Sequence, residues 1–377
     1  MIRKALYVLA IITVLVGIWG AYDRLAHGHE TADYGSYMMW GLWVAMYLFF
    51  TGAAVGAFVL ATLDYLFNVR VFARTGQLSL LAALASLAAG LLIIWFDLGH
   101  MERIWRVYLQ PDFGSVMAQM LWGYTVFGAL LLAMLVLSLQ RGRYANWLKG
   151  LSIAGLPLAL FLSGGAGALL GVEGSRPFWH VGLFPVQFPV FSLASGAAVL
   201  LLIHGLFDRT ATEHRAELLR SLAILTIVLQ GVKLFFLWAD LSQSLYGGVE
   251  LNEEAVRELL TGQYWWAFWF LQIGLGSIVP VIMLLPPKLA HQPIWAASAG
   301  ALVLLGFVVA RANIVFPAQS VASLEGLADA FREVRLDLSY FPSGPEWALA
   351  VGVSGLAGLL FLLAYDWLAL RAEEEKA

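Results

Sequence analysis

Cysteine is missing altogether from the 377-residue chain. That single absence excludes disulfides, thiolate zinc sites, iron–sulfur clusters and covalently attached c-type haem, so any cluster chemistry must sit on another chain. Charge is scarce as well, with Asp, Glu, Lys and Arg at 12% of residues, about half the ~25% of a soluble domain. What charge there is nearly balances, 22 basic against 25 acidic residues, which leaves no footprint for nucleic acid. Histidine is thin: of seven, only His100 and His204 fall in or at an apolar run, and they lie toward opposite sides. A b-type haem, which is usually held by histidines paired at one depth, is therefore not expected.

What the chain has in abundance is hydrocarbon: 61% hydrophobic residues and a mean hydropathy of +0.79. About 20 apolar residues cross a bilayer, and by that rule the sequence reads as an all-α membrane protein of about ten transmembrane helices. They fall near 4–22, 38–67, 78–98, 115–139, 146–171, 183–207, 218–241, 264–285, 293–316 and 346–370. The first run starts behind Arg3 and Lys4 and lacks a clear small-residue cleavage site, so it reads as a retained helix. With the amino terminus inside, 13 Lys and Arg residues lie on the cytoplasmic side, Arg70, Arg74, Arg141, Arg143, Arg209, Arg215, Arg371 and Lys376 among them, against 8 outside. That bias places both termini in the cytoplasm. Arg103, Arg106, Arg176 and Arg311 run against it and are candidates for a site rather than for orientation.

An internal repeat is visible. Gly52-Ala53-Ala54-Val55 recurs as Gly196-Ala197-Ala198-Val199, and Trp95-x-Asp97-Leu98 recurs as Trp238-x-Asp240-Leu241. The two offsets are nearly equal and join helices that run the same way, so the halves read as parallel repeats. The expected organisation is a first helix and outer loop (1–37), a first four-helix bundle (38–171), a second four-helix bundle (183–316), and an outer loop with a last helix (317–377). The first and last helices are then peripheral additions. Acidic amphipathic pieces are expected in the outer loops, one at 242–263 and one from Leu324 to Leu338 with Glu325, Asp329, Arg332, Glu333 and Arg335.

Polar groups gather at the outer helix ends: Asp97, His100, Glu173, Arg176, Asp240, Gln243, Arg311, Asn313, Gln319 and Glu346. The inner ends offer mainly Asp64, His204, Asp208 and Asp366. Charge at membrane depth is costly and marks function. The stretch Trp95 to Arg106 is the focus, because Asp97 and His100 are three apart, on one helical face, where a carboxylate and an imidazole can act on the same ligand or proton. A quinone site needs a flat apolar slot, a donor to each carbonyl oxygen and a group that exchanges a proton. His100 could bond one quinone oxygen while Asp97 sets its tautomer or takes its proton. Trp105, Tyr108, Trp122 and Tyr124 could supply stacking walls. Lys233, with Asp240 two turns on and Glu173 nearby, forms a candidate proton path, with a buried structural pair as the competing reading.

The same residues carry a family resemblance. The small-residue segment 51–57, the stretch Asp97-Leu98-Gly99-His100-Met101-Glu102-Arg103, Trp122-Gly123-Tyr124, Phe188 to Gly196, Gly306 to Asn313 with Gln319, and Tyr340 to Glu346 resemble the NrfD/PsrC family, the membrane subunits of polysulfide reductase-like complexes. The resemblance spans the chain and is to the longer, ten-helix HybB/DsrP-like branch. It implies a quinone site (menaquinone or ubiquinone) toward the outer face, to which Asp97, His100, Arg103, Arg311 and Asn313 belong. It also implies a ferredoxin-like iron–sulfur subunit docked on that face, with further catalytic or cytochrome c subunits beyond it. The chain departs from the family at Met101, where Pro is usual after Asp-Leu-Gly-His or Asp-Leu-Gly-Arg, which leaves the third helix free to continue another turn.

The expected function is a quinone/quinol-reactive subunit of a respiratory oxidoreductase in a bacterial or archaeal cytoplasmic membrane. It has no redox centre of its own, and proton translocation is a candidate coupled activity. The competing class is a transporter built on parallel repeats, which calls for broken helices and a central polar site; Pro157 and Pro280 are the main intrahelical prolines. A purely structural anchor, the third reading, needs no Asp97 and His100 pair.

Overall fold

A computed structural model describes residues 2–207, 212–324, 326 and 336–374. Among the described residues ten helices are long and apolar enough to cross a bilayer, and the protein is an all-α polytopic membrane protein. They are α1 (Ile2–His27), α2 (Leu42–Tyr65), α3 (Gly76–Asp97), α4 (Val116–Ser138), α5 (Arg141–Gly171), α6 (Phe184–Phe207), α7 (Thr212–Tyr246), α8 (Ala267–Leu284), α9 (Pro293–Val315) and α10 (Gly344–Glu374). Helices are the expected solution because hydrocarbon offers the backbone no hydrogen bonds from outside the segment.

Burial sorts the helices into centre and rim. In the most apolar stretch of each, α2 is 89% and α6 72% buried, whereas α1 is 17% buried. α2 and α6 cross backbone to backbone: a Cβ on Gly56 would run into the Ser192 carbonyl, and one on Gly196 into the Gly56 main chain. Small residues permit that approach, and close packing replaces the hydrophobic drive that lipid removes. α1 lies along α10 with Gly17 against Gly352, and α10 in turn packs on α3. Contacts of α2 with α3, α4 with α5 and α2 with α5 are echoed by α6 with α7, α8 with α9 and α6 with α9.

Two elements depart from expectation. α3 stops at Asp97, and Leu98 is extended (φ −63°, ψ 131°), so Met101 does not prolong the helix. The cause is Arg24 of α1, whose Nε donates to the Phe96 carbonyl at 2.8 Å and whose Nη2 donates to the Leu98 carbonyl at 2.7 Å. Acceptors that the N–H groups of a further turn would need are thus taken. The chain instead makes a 3₁₀ turn (Met101–Arg103) and a short helix (Trp105–Leu109) before α4.

The second departure is in α8, which is a π-helix over Ala267–Ile278 and α-helical over Val279–Leu284. Pro280 has no N–H for the Gly276 carbonyl, and Gln230 of α7 supplies one there at 3.3 Å. The expected acidic amphipathic loop piece is a helix, Glu250–Leu260, burying Ala255, Val256 and Leu259. Most of the second, including Glu325, Asp329, Arg332, Glu333 and Arg335, lies outside the described residues, as do Asp208, Arg209, Lys376 and the side chains of Arg141 and Arg371.

Candidate functional site

The ends of α2, α3, α4 and α5 that lie level with Asp97 surround a cavity of about 530 Å³, within the 300–1,000 Å³ usual for small-molecule sites. Its walls are apolar: Val44 and Leu48 of α2, Leu91 and Ile94 of α3, Met120 and Leu121 of α4, Leu169 and Leu170 of α5. The polar groups are few. Asp97, His100, Arg103 and Arg106 border it on one side, with Tyr47 and Tyr124 opposite, their rings edge to face with centroids 6.1 Å apart. Asp97 Oδ1 is buried and has no hydrogen-bond partner.

Asp97 and His100 thus line the same cavity but do not share a helical face, because the helix ends between them. The His100 side chain is 64% exposed at the rim, where its Nδ1 meets Glu102 Oε1 at 3.0 Å. Three of the expected stacking residues are elsewhere. Tyr108 and Trp122 lie edge to face at 5.4 Å, Trp122 Nε1 donates to the Val107 carbonyl, and Trp105 is exposed. They hold the short helix Trp105–Leu109 against α4 and do not line the cavity. Arg311 is buried beyond Tyr124, with its guanidinium 4.0 Å from the Phe188 ring centroid. Arg176 staples loops, donating to the carbonyls of Val321 and Tyr37.

A network that the sequence pattern did not suggest covers Asp97. Arg24 is 5% exposed, and its Nη2 also meets His29 Nε2 at 2.7 Å; His29 Nδ1 meets the Tyr34 hydroxyl at 2.6 Å. Burial raises the Tyr34 phenol above its ordinary value, and the carboxylates of Asp97 and Glu346 add to that. Glu346 accepts three bonds: Tyr340 O–H donates to Oε2, and the backbone N–H groups of Asp33 and Ser343 donate to Oε1 at 3.0 and 3.2 Å. Arg24 carried one available signal, an arginine near the outer end of the first helix. His29 and Tyr34 lie in an irregular loop and had none.

The second half holds a smaller chamber of about 20 Å³, room for about one water. Lys233, Asp240, Gln272 and Asn313 line it together with Gln187. Lys233 Nζ donates to Ser277 Oγ at 2.7 Å, and Asn313 Nδ2 donates to Gln272 Oε1 at 2.7 Å. Asp240 Oδ1 is buried without a hydrogen-bond partner. Asn313 therefore belongs with Lys233 and Asp240, not with Asp97. Glu173 is outside the chamber, in the loop after α5, where the Ser175 hydroxyl donates to it at 2.6 Å.

Residues 30–322 match the family described as polysulphide reductase, NrfD. The chain belongs to the NrfD family. Similar proteins run nearly the whole length of this NrfD-family chain. A selenate reductase subunit of Mesobacillus selenatarsenatis is 32% identical over 96% of the chain and 93% of its own length. The Hdr-like menaquinol oxidoreductase integral membrane subunit of Archaeoglobus fulgidus is 26% identical, covering 98% and 95%. The menaquinone reductase integral membrane subunit of Nitratidesulfovibrio vulgaris is 23% identical, covering 95% and 89%. Each of these is by name a subunit of a reductase or oxidoreductase.

Proposed function

We propose that this chain is the quinone-reactive membrane subunit of a respiratory oxidoreductase in a bacterial or archaeal cytoplasmic membrane. It exchanges electrons between the quinone pool and an iron–sulfur partner docked on the face where α3 ends, with both termini cytoplasmic. The observation that carries this reading is the 530 Å³ cavity, apolar along its walls and bearing one buried carboxylate oxygen with no partner. A slot of that size suits a lipid-soluble ring, and the open oxygen suits a hydroxyl that gives up its proton on oxidation. Two relatives named for menaquinol and menaquinone support the same reading.

In the chemistry, a bound quinol would supply two electrons and two protons, and the electrons would pass to the iron–sulfur partner. Asp97 takes a proton at Oδ1. Arg103 and Arg106 border the cavity, and His100 with Glu102 offers the proton a way to water. Lys233, Asp240 and Asn313 form the candidate proton path through the second half, whereas Glu173 joins it only through a route outside the chamber. We also propose that 38–171 and 183–316 are parallel repeats, with 1–37 and 317–377 added at the edge. The pairing of helices within each half is the support for that division.

Asp97→Asn removes the proton acceptor while keeping the shape. Quinol-linked electron transfer by the assembled complex should fall by at least about 100-fold, the lower end of the range for general acid–base groups. Full turnover by an assembled Asp97→Asn complex would refute the assignment.

A further inference from the structure

We infer that Arg24, His29 and Tyr34 form a hydrogen-bonded chain that acts through Asp97, holding its carboxyl group turned to the cavity as the site's proton acceptor. This rests on the reading of the cavity as a quinol site, and it assigns positioning roles to three residues outside the cavity wall.

The direction of the chain follows from donor counting. A guanidinium only donates, so His29 Nε2, 2.7 Å from Arg24 Nη2, must accept. A neutral imidazole then carries its proton on Nδ1, which donates to the Tyr34 hydroxyl oxygen at 2.6 Å. The phenol's own proton is left to point onward. Two carboxylates bear on that phenol, Asp97 and Glu346. Glu346 accepts from Tyr340, Asp33 and Ser343, and of the two carboxylates it is Asp97 that lies within hydrogen-bonding reach of the phenol. Arg24 also clamps the backbone on both sides of Asp97, at Phe96 and Leu98, so the cation that heads the chain fixes the residue on which the chain ends.

The donors run in series from Arg24 through His29 to Tyr34, and polarised chains of this kind strengthen one another in a low-dielectric interior. A carboxylate that accepts such bonds is favoured in its charged form. The chain does not carry a proton away, because Arg24 caps the imidazole nitrogen that would have to release it. The other groups near Asp97 are Glu346 at the start of α10, and His100, Arg103 and Arg106 after α3; Tyr47 and Tyr124 line the same cavity.

The test uses the intact purified complex and two readouts. The first is infrared: the carboxylate band lost in Asp97→Asn is followed in Tyr34→Phe and His29→Gln without any quinol present. The second is quinol turnover against pH. Loss of the phenol donor should shift the band. It should also move the acid limb of kcat up by about one pH unit, the equivalent of one hydrogen bond to a charged group, while KM changes less than twofold. Arg24→Lys, which keeps a cation and a donor, should restore more of the profile than Arg24→Gln. An unmoved band and acid limb in assembled Tyr34→Phe and His29→Gln would overturn the chain's role while leaving the quinol site standing if Asp97→Asn is inactive. Wild-type turnover in Asp97→Asn would remove the quinol reading itself.

Discussion

Leaving a carboxylate oxygen buried and unbonded costs about 1–3 kcal/mol or more, so a fold that keeps one at a cavity wall keeps it for a ligand or a proton. Among the described residues Asp97, Asp240 and Asp366 each have a buried oxygen without a partner, and those of Asp97 and Asp240 mark the two polar sites, at the cavity and the chamber. Lys233 is 1% exposed and bonded to Ser277, with its ammonium 4.9 Å from the Phe307 ring centroid. Lys233→Met keeps the bulk and removes the charge. If the chamber carries protons, that substitution should lower the proton-to-electron ratio of the complex in proteoliposomes by at least about twofold with assembly unchanged, since buried charges on such routes are not replaceable by apolar isosteres; an unaltered ratio would leave Lys233 a structural residue. At this scale the sequence was legible where a charge stood out in an apolar run, as Asp97, Lys233, Asp240 and Arg311 do. It was not legible for His29 and Tyr34, whose places are set by tertiary bonds to Arg24 and not by any local period.

Among the elements, the ten spans were readable to within a few residues because hydropathy and backbone satisfaction leave a bilayer-crossing segment little choice. The end of α3 was readable too, at 98 against Asp97, but not the Arg24 side chain from the first helix that bonds the carbonyls there. The π-register of α8 was hidden for a related reason. Its cause is a proline together with the Gln230 amide of a neighbouring helix, and a 3.6-residue pattern cannot foresee where Gln272 and Ser277 then point. The crossing of α2 with α6 is the element-level contact most open to test. Gly56→Val places methyl groups against the Ser192 carbonyl, and overpacking of this kind costs about 1–3 kcal/mol or more. The variant complex should lose several degrees of thermal stability in detergent, read by size-exclusion after heating. Wild-type stability would mean the two backbones are not in contact.

Across the whole molecule, the proposed repeats give the two sites a common origin in position. Trp95-x-Asp97-Leu98 closes α3, whereas Trp238-x-Asp240-Leu241 lies inside α7, which runs on to Tyr246 and does not end there as the repeat led one to expect; one borders a 530 Å³ cavity and the other a 20 Å³ chamber. The difference lies in what lines each: apolar helix ends and the 98–112 segment around Asp97, against Gln187, Lys233, Gln272 and Asn313 around Asp240. One half is thus shaped for a molecule and the other for water or a proton. A second apolar groove, about 480 Å³ between α1, α3, α6 and α10 and lined by Leu9, Ala82, Leu202 and Phe361, has no carboxylate. It offers the lipid-facing alternative against which the central claim can be measured. Photolabelling of the intact complex with an azido-quinone, followed by peptide mapping, should place the label on the segments 98–112 and 115–124, with loss of label when unmodified quinol competes. Label confined to the α1 and α10 groove, or unaffected by competing quinol, would contradict the assignment of the Asp97 cavity as the quinone site.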